Sequence, residues 1–268
     1  MLNRLIIFVI TVSAAMAQLT DSHLLKEILK NLRPEFKNIL LAPDQYKLQI
    51  IYTQVNRDQN NFPLLDTYTY RNEPREYFYP ASTIKFPIAV LAMEKLNRIE
   101  NIDQYTPLNI LSEFAGIERV VKDKTSKTGL PSIAHYIHKL FVVSDNDASN
   151  RLYEFLGRDY LNQRLWDLGY IETRIRHRLD ISLSEKQNGY TSPFQFYNDE
   201  NIIYEQPGQK AKIDLNVNYD DYLIGKAHMG NGNRVLQPFD FSKKNFMNLM
   251  EQHDFLPILR ILSTSLSL

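Results

Sequence analysis

The 268-residue sequence contains no cysteine. Disulfides and a cysteine-linked lipid anchor are therefore excluded, and packing alone must hold the fold together. A charge surplus is missing as well: Lys plus Arg and Asp plus Glu both number 31. No broad cationic field exists to attract nucleic acid or an anionic membrane surface. Long apolar runs are also lacking. The apolar stretch within "MLNRLIIFVITVSAAMAQ" covers about ten residues, too short to span a bilayer comfortably. No internal repeat or low-complexity tract stands out.

That N-terminal stretch has the layout of a cleavable export signal, with Arg4, the apolar run and Ala15-Met16-Ala17 before Gln18. Residues 1–17 are expected to be removed, which leaves residues 18–268 as a periplasmic or secreted chain. Stable membrane insertion is not expected, and a monomer is. With 44% hydrophobic residues, the chain is long enough for one large domain or two intimately packed lobes.

Periodicity predicts a helix over 24–40, interrupted by Pro34, and two neighbouring antiparallel strands over 46–55 and 64–70. Helical spacing then recurs after residue 82, in "SIAHYIHKLFVV", in "ASNRLYEFLG" and in "DYLNQRLWDLGY". An all-helical lobe is expected over about 98–235. Within it, residues from about 177 onward are polar, punctuated by Gly and Asn, and read as a long loop with irregular connections.

In "EYFYPASTIKFPIAVLAMEKLN" a hydroxyl and an amine, Ser82 and Lys85, lie three residues apart where a helix should begin. That spacing places them near one face, one turn apart. A partly desolvated lysine can lose its proton and then take the serine's, making a nucleophile of a weak hydroxyl. Helix-end N–H groups can stabilise negative charge developing on a substrate oxygen. The same letters also describe a capped helix with a surface lysine. Ser144-Asp145-Asn146 follows 62 residues after Ser82, between two helical patterns. It can aim side chains at the first motif, or serve as an ordinary N-cap turn.

Together, Ser82-x-x-Lys85 and Ser144-Asp145-Asn146 resemble the first two motifs of the penicillin-recognising serine hydrolases, closest to the class A β-lactamases. The order, the spacing and the context of an N-terminal helix, two strands, a nucleophile helix and a helical lobe are similar over roughly residues 24–235. The resemblance implies an α/β (α+β) fold of the β-lactamase/transpeptidase type, an antiparallel sheet lobe with an inserted helical lobe. It implies acylation of Ser82, activation by Lys85, proton relay through Ser144, and Asn146 holding both Lys85 and the substrate's side-chain amide. Asp145 would brace the loop. The implied partner is a small-molecule β-lactam or, for a D-Ala-D-Ala peptidase, a peptidoglycan stem peptide. A non-catalytic penicillin-binding relic is the alternative from another class.

The family's third motif, Lys-Thr-Gly, departs from the pattern. Lys127-Thr128-Gly129 matches by letter but precedes Ser144 within a polar loop, and Lys226-Ala227-His228-Met229-Gly230 lacks the hydroxyl and any strand pattern. The closing C-terminal strands are expected to be missing, and the chain to be a feeble hydrolase at best. For the deacylating base, the region after the helical lobe offers Glu185, with Asn188 nearby. It can be that base or a solvated loop glutamate, since the fuller Glu-x-x-Leu-Asn pattern is absent. No cofactor is expected, and no metal: His135 and His138 have no third ligand at matching spacing. The 16 Tyr and 14 Phe read as core rather than as a nucleic-acid stacking groove.

Overall fold

Helix α1 (His23–Lys30) is the first described element and buries Leu25. The computed structural model describes residues 21–31, 34–112, 118–199, 201–217, 221–230 and 232–256; the expected signal segment, 1–17, lies outside them. The chain divides into two compact units, one ending at Glu73 and the other starting at Pro74.

In the first unit, Pro34 opens a single 3-10 turn, Pro34–Phe36, followed by α2 (Lys37–Leu41). Proline supplies no N–H and fits only the first turn of a helix, so the single helix expected over 24–40 becomes two. Strands β1 (Ile50–Arg57) and β2 (Pro63–Tyr70) pair antiparallel in the register Ile50↔Tyr70 to Arg57↔Pro63. Their cross-strand pairs include the Tyr52–Tyr68 stack, with centroids 6.0 Å apart, and a Thr53–Thr67 hydroxyl bond of 2.8 Å. Asp58 makes the turn by accepting from the Asn60 and Phe62 amides at 2.9 and 2.7 Å. The Asp21 carboxylate and the Thr69 carbonyl then tie the start of α1 to the end of the hairpin.

The second unit holds the main core. A 3-10 turn, Ala81–Ile84, runs into α3 (Lys85–Leu96), which buries Ile88, Leu91, Ala92 and Leu96. Helices α4 (Ile133–Val143), α5 (Asn146–Leu156) and α6 (Arg158–Asp167) follow. Ser132 caps α4 by accepting from the His135 amide at 3.2 Å, and Asp145 caps α5 by accepting from the Ala148 amide at 2.7 Å. Gly157, at φ 78°, turns α5 into α6, a conformation that suits glycine. Leu152, Phe155, Leu156, Leu161 and Leu165 pack with α3 in one cluster. Full burial of each side chain contributes about 1.5–3 kcal/mol.

The span 98–235 is not all-helical. Strands β3 (Leu108–Ile110), β4 (Phe194–Asn198) and β5 (Asn201–Gln206) form an antiparallel sheet in the order β3-β4-β5, with Phe194 and Phe196 turned into the core. The stretch read as loop also carries the short helix α7 (Glu185–Asn188) and the strands β6 (Leu223–Ile224), β7 (His228–Gly230) and β8 (Asn233–Val235). Strand β9 (Phe239–Asp240) pairs with β6, and β7 pairs with β8. A last described helical stretch, α8, covers 249–256. The expectation of two strands is corrected by nine among the described residues. The pairing of β3 with β4 links segments some 80 residues apart, which local periodicity cannot reveal. Mixed helices and antiparallel strands are the class expected from the resemblance.

Candidate functional site

Ser82 lies in the Ala81–Ile84 turn rather than at a helix cap; the residue at the cap position is Pro80. Ala81 adopts φ 46°, a left-handed conformation that costs a non-glycine residue about 1 kcal/mol or more. The Ser82 side chain is exposed, and its hydroxyl makes no hydrogen bond among the described residues. Pro87 falls in the first turn of α3, where a missing N–H costs little.

One turn on, Lys85 is 3% exposed. Its ammonium donates to the Ser144 carbonyl, to Ser144 Oγ at 3.0 Å and to Asn146 Oδ1 at 2.7 Å. Ser144 ends α4 in the left-handed conformation, φ 53° and ψ 41°, and both its oxygens face the lysine. Burial pushes the Lys85 ammonium below its usual range, while the Asp145 and Asp180 carboxylates act in the opposite direction. The structure thus brings Lys85, Ser144 and Asn146 together, with Ser82 adjacent in the same turn. Asp145 is occupied as the α5 cap and pairs with Lys139 at 3.5 Å.

Glu185 is not part of this cluster. It opens α7, and its carboxylate lies 3.5 Å from Arg176 and 3.6 Å from Lys243. Lys127-Thr128-Gly129 closes a loop in which the Thr128 hydroxyl bonds Ser126 and Leu130. Asp123 in that loop anchors to His135 at 3.1 Å, while His138 is exposed. Lys226–Gly230, read without a strand pattern, contributes β7. Among the described residues, no three His, Cys, Asp or Glu side chains converge to hold a metal ion, and no helix is long and apolar enough to cross a membrane.

Sequence reasoning missed Asp180. Its Oδ2 accepts from Asn146 Nδ2 at 3.4 Å, a long bond, from a left-handed position at φ 54°. The segment before it is held by four buried asparagines. Asn162 accepts from the Ile175 amide at 2.8 Å and donates to its carbonyl at 2.9 Å. Asn245 accepts from the Arg176 and His177 amides at 2.7 and 3.0 Å. Asn188 accepts from the Arg178 amide at 2.9 Å. Asn150 exchanges both bonds with Leu179, each at 2.8 Å. The amide supplies both a donor and an acceptor, so one side chain can satisfy a buried backbone unit on each side. Beneath the segment, Arg178 and Glu154 pair at 3.4 Å and are almost fully buried.

The upstream "EYFYP" aromatics have structural partners. Tyr77 donates to the Asn245 carbonyl at 2.7 Å and packs on Phe241 and Phe246, with centroids 5.4 and 5.5 Å away. Tyr79 packs on Phe241 at 5.4 Å. These contacts join the chain entering the Ser82 turn to the asparagine that holds residues 176 and 177.

A comparison with curated proteins gives no match. The profile of the beta-lactamase enzyme family matches residues 31–211, two-thirds of the chain, and so covers Ser82, Lys85, the Ser144–Asn146 loop and Asp180. On that match, and with a fold of the class it implies, the chain belongs to the beta-lactamase enzyme family, a family of hydrolases.

Proposed function

We propose that the chain is a serine hydrolase acylated at Ser82 by β-lactams. Lys85 is the base, Ser144 the proton relay, and Asn146 the group that holds Lys85 and receives the substrate's side-chain amide. The supporting observation is the buried Lys85 ammonium, bound to Ser144 and Asn146 one turn from an exposed Ser82 hydroxyl. In its neutral form Lys85 takes the Ser82 proton as Oγ adds to the lactam carbonyl. The ring C–N bond then breaks, the proton passes through Ser144 to the departing nitrogen, and an ester on Ser82 remains. Water adds to that ester, the C–O bond breaks, and Ser82 recovers its proton as the ring-opened acid leaves. We place the protein in the periplasm or outside the cell on the strength of the signal layout of residues 1–17.

Glu185 is the carboxylate proposed from sequence to activate the deacylating water. Its pairing with Arg176 and Lys243 favours a second reading: a peptidase-like, penicillin-binding protein whose acyl-enzyme turns over slowly. Fluorescent penicillin separates the two. Label that forms and is then lost within minutes of a chase supports a β-lactamase, and persistent label supports the slow acyl-enzyme. No label at all contradicts both.

A further inference from the structure

We propose that His177 is an acid-sensitive latch: its neutral ring closes residues 176–178 onto the segment at Asn245, and a second ring proton opens that contact. The ring sits between two main-chain groups. Its Nδ1 lies 2.6 Å from the Arg178 carbonyl oxygen, and its Nε2 lies 3.3 Å from the Asn245 amide nitrogen. A carbonyl can only accept and a backbone amide can only donate, so Nδ1 carries the proton and Nε2 is bare. Neither partner can exchange roles. Of the three forms open to a histidine, the two neutral tautomers and the cation, one fits both bonds.

The clamp is reciprocal. Asn245 returns its side chain to the same stretch, accepting from the Arg176 and His177 amides at 2.7 and 3.0 Å and donating to the His177 carbonyl at 3.1 Å. A proton at Nε2 sets one N–H against another across 3.3 Å and leaves the Asn245 amide without its acceptor. The surrounding charges offer the cation little help. Arg176 in its own segment and Lys244 beside Asn245 are both positive and act with burial against it; the Arg178 carbonyl favours it, and no carboxylate pairs with the ring among the described residues. Arg176 is itself offset by Glu185 at 3.5 Å, and Lys244 lies 5.5 Å from the Phe239 ring centroid. Together these hold the ring below its ordinary 6.5. Opening reaches the candidate site from two directions. The Asn245 carbonyl accepts from Tyr77, ahead of the Ser82 turn, and the latched stretch leads straight into Leu179 and Asp180.

The latch stands apart from the acylation chemistry, so its test needs no turnover. Nitrogen-15 NMR of the imidazole reports the tautomer and the midpoint, and hydrogen exchange reports the three amides the latch holds, those of Arg176, His177 and Asn245. At neutral pH the expected ring is the Nδ1–H form. Between pH 6.5 and the lowered midpoint the closed form binds fewer protons than the open one, so closure weakens as pH falls. Protection of the three amides, corrected for intrinsic exchange, should fall about tenfold per pH unit across that window, while the Leu161 amide in α6 keeps its own. His177→Gln, which takes up no proton, should show no such fall between pH 7 and 5. An Nε2–H ring at neutral pH overturns the latch, as does an Asn245 amide whose protection is unchanged while the ring titrates. An equal loss in His177→Gln, or a matching loss at Leu161, overturns it too, because the acid effect would then lie elsewhere or be global unfolding. If the variant does not fold, the tautomer and the exchange of the parent decide alone.

Discussion

Lys85 and Asn146, 61 residues apart in sequence, meet at 2.7 Å. The contact joins the first turn of α3 to the first turn of α5, so the amine is held from outside its own helix. It also leaves Lys85 Nζ bonded to Ser144 and Asn146 rather than to the exposed Ser82 hydroxyl.

The amine should therefore be hard to replace. Lys85→Arg keeps the charge but cannot release a proton, and its planar fork cannot reproduce the three bonds of the ammonium. Labelling by fluorescent penicillin should fall by about 10² to 10⁴-fold, the usual contribution of a general base. Retention of more than a tenth of the parent rate would leave Lys85 a purely electrostatic role.

A second buried lysine sets an alkaline dependence of stability. Lys95 donates to the Phe155 and Leu156 carbonyls, the last of α5, and to Gln206 Oε1 at 2.7 Å, with no carboxylate partner among the described residues. Burial lowers it from the ordinary 10.5 to about 8. Below pH 8 both folded and unfolded chains hold the proton. Between about 8 and 10.5 only the unfolded chain does, so stability should rise with pH across that window. Tyr170, pushed up to about 12 by burial, works the other way only above pH 10. Urea midpoints measured from pH 7 to 9.5 should rise in the parent and rise less in Lys95→Met, where Lys85, also lowered by burial, still contributes. An equal rise in the variant would contradict the assignment.

The asparagine clamp predicts a large loss from a small truncation. Asn162 is fully buried and binds both the amide and the carbonyl of Ile175. Asn162→Ala strands both groups and should cost about 3 kcal/mol in chemical denaturation. A cost under about 1 kcal/mol would mean that the segment re-forms its bonds elsewhere or with water.

The parts of the candidate site that sequence could propose are those whose chemistry is local: Ser82 and Lys85 share one turn, and Ser144-Asp145-Asn146 is contiguous, so letters and spacing were enough to single them out as candidates. Helices α4, α5 and α6 were legible because their apolar residues recur at helical spacing within each segment. Strand β4 was not, because only Phe194 and Phe196 alternate and the partner β3 is three residues long and distant in sequence. Asp180 and the four asparagines carry no local signal either. Asparagine is an ordinary loop residue, and these become specific only when the fold sets each against a backbone 10 to 69 residues away.

The most direct test is to locate the acyl group. Cleavage after Arg75 and Lys85 releases Glu76–Lys85, which holds Ser82. Full-length protein exposed briefly to benzylpenicillin, quenched in acid and digested with trypsin should yield this peptide heavier by the mass of intact penicillin, with fragmentation placing the addition on Ser82. Ser82→Ala, which removes an exposed hydroxyl with no bond to lose, should fold as the parent does and show no addition. An unmodified Glu76–Lys85 peptide under conditions that label a control β-lactamase, or the same addition in Ser82→Ala, would contradict acylation at Ser82.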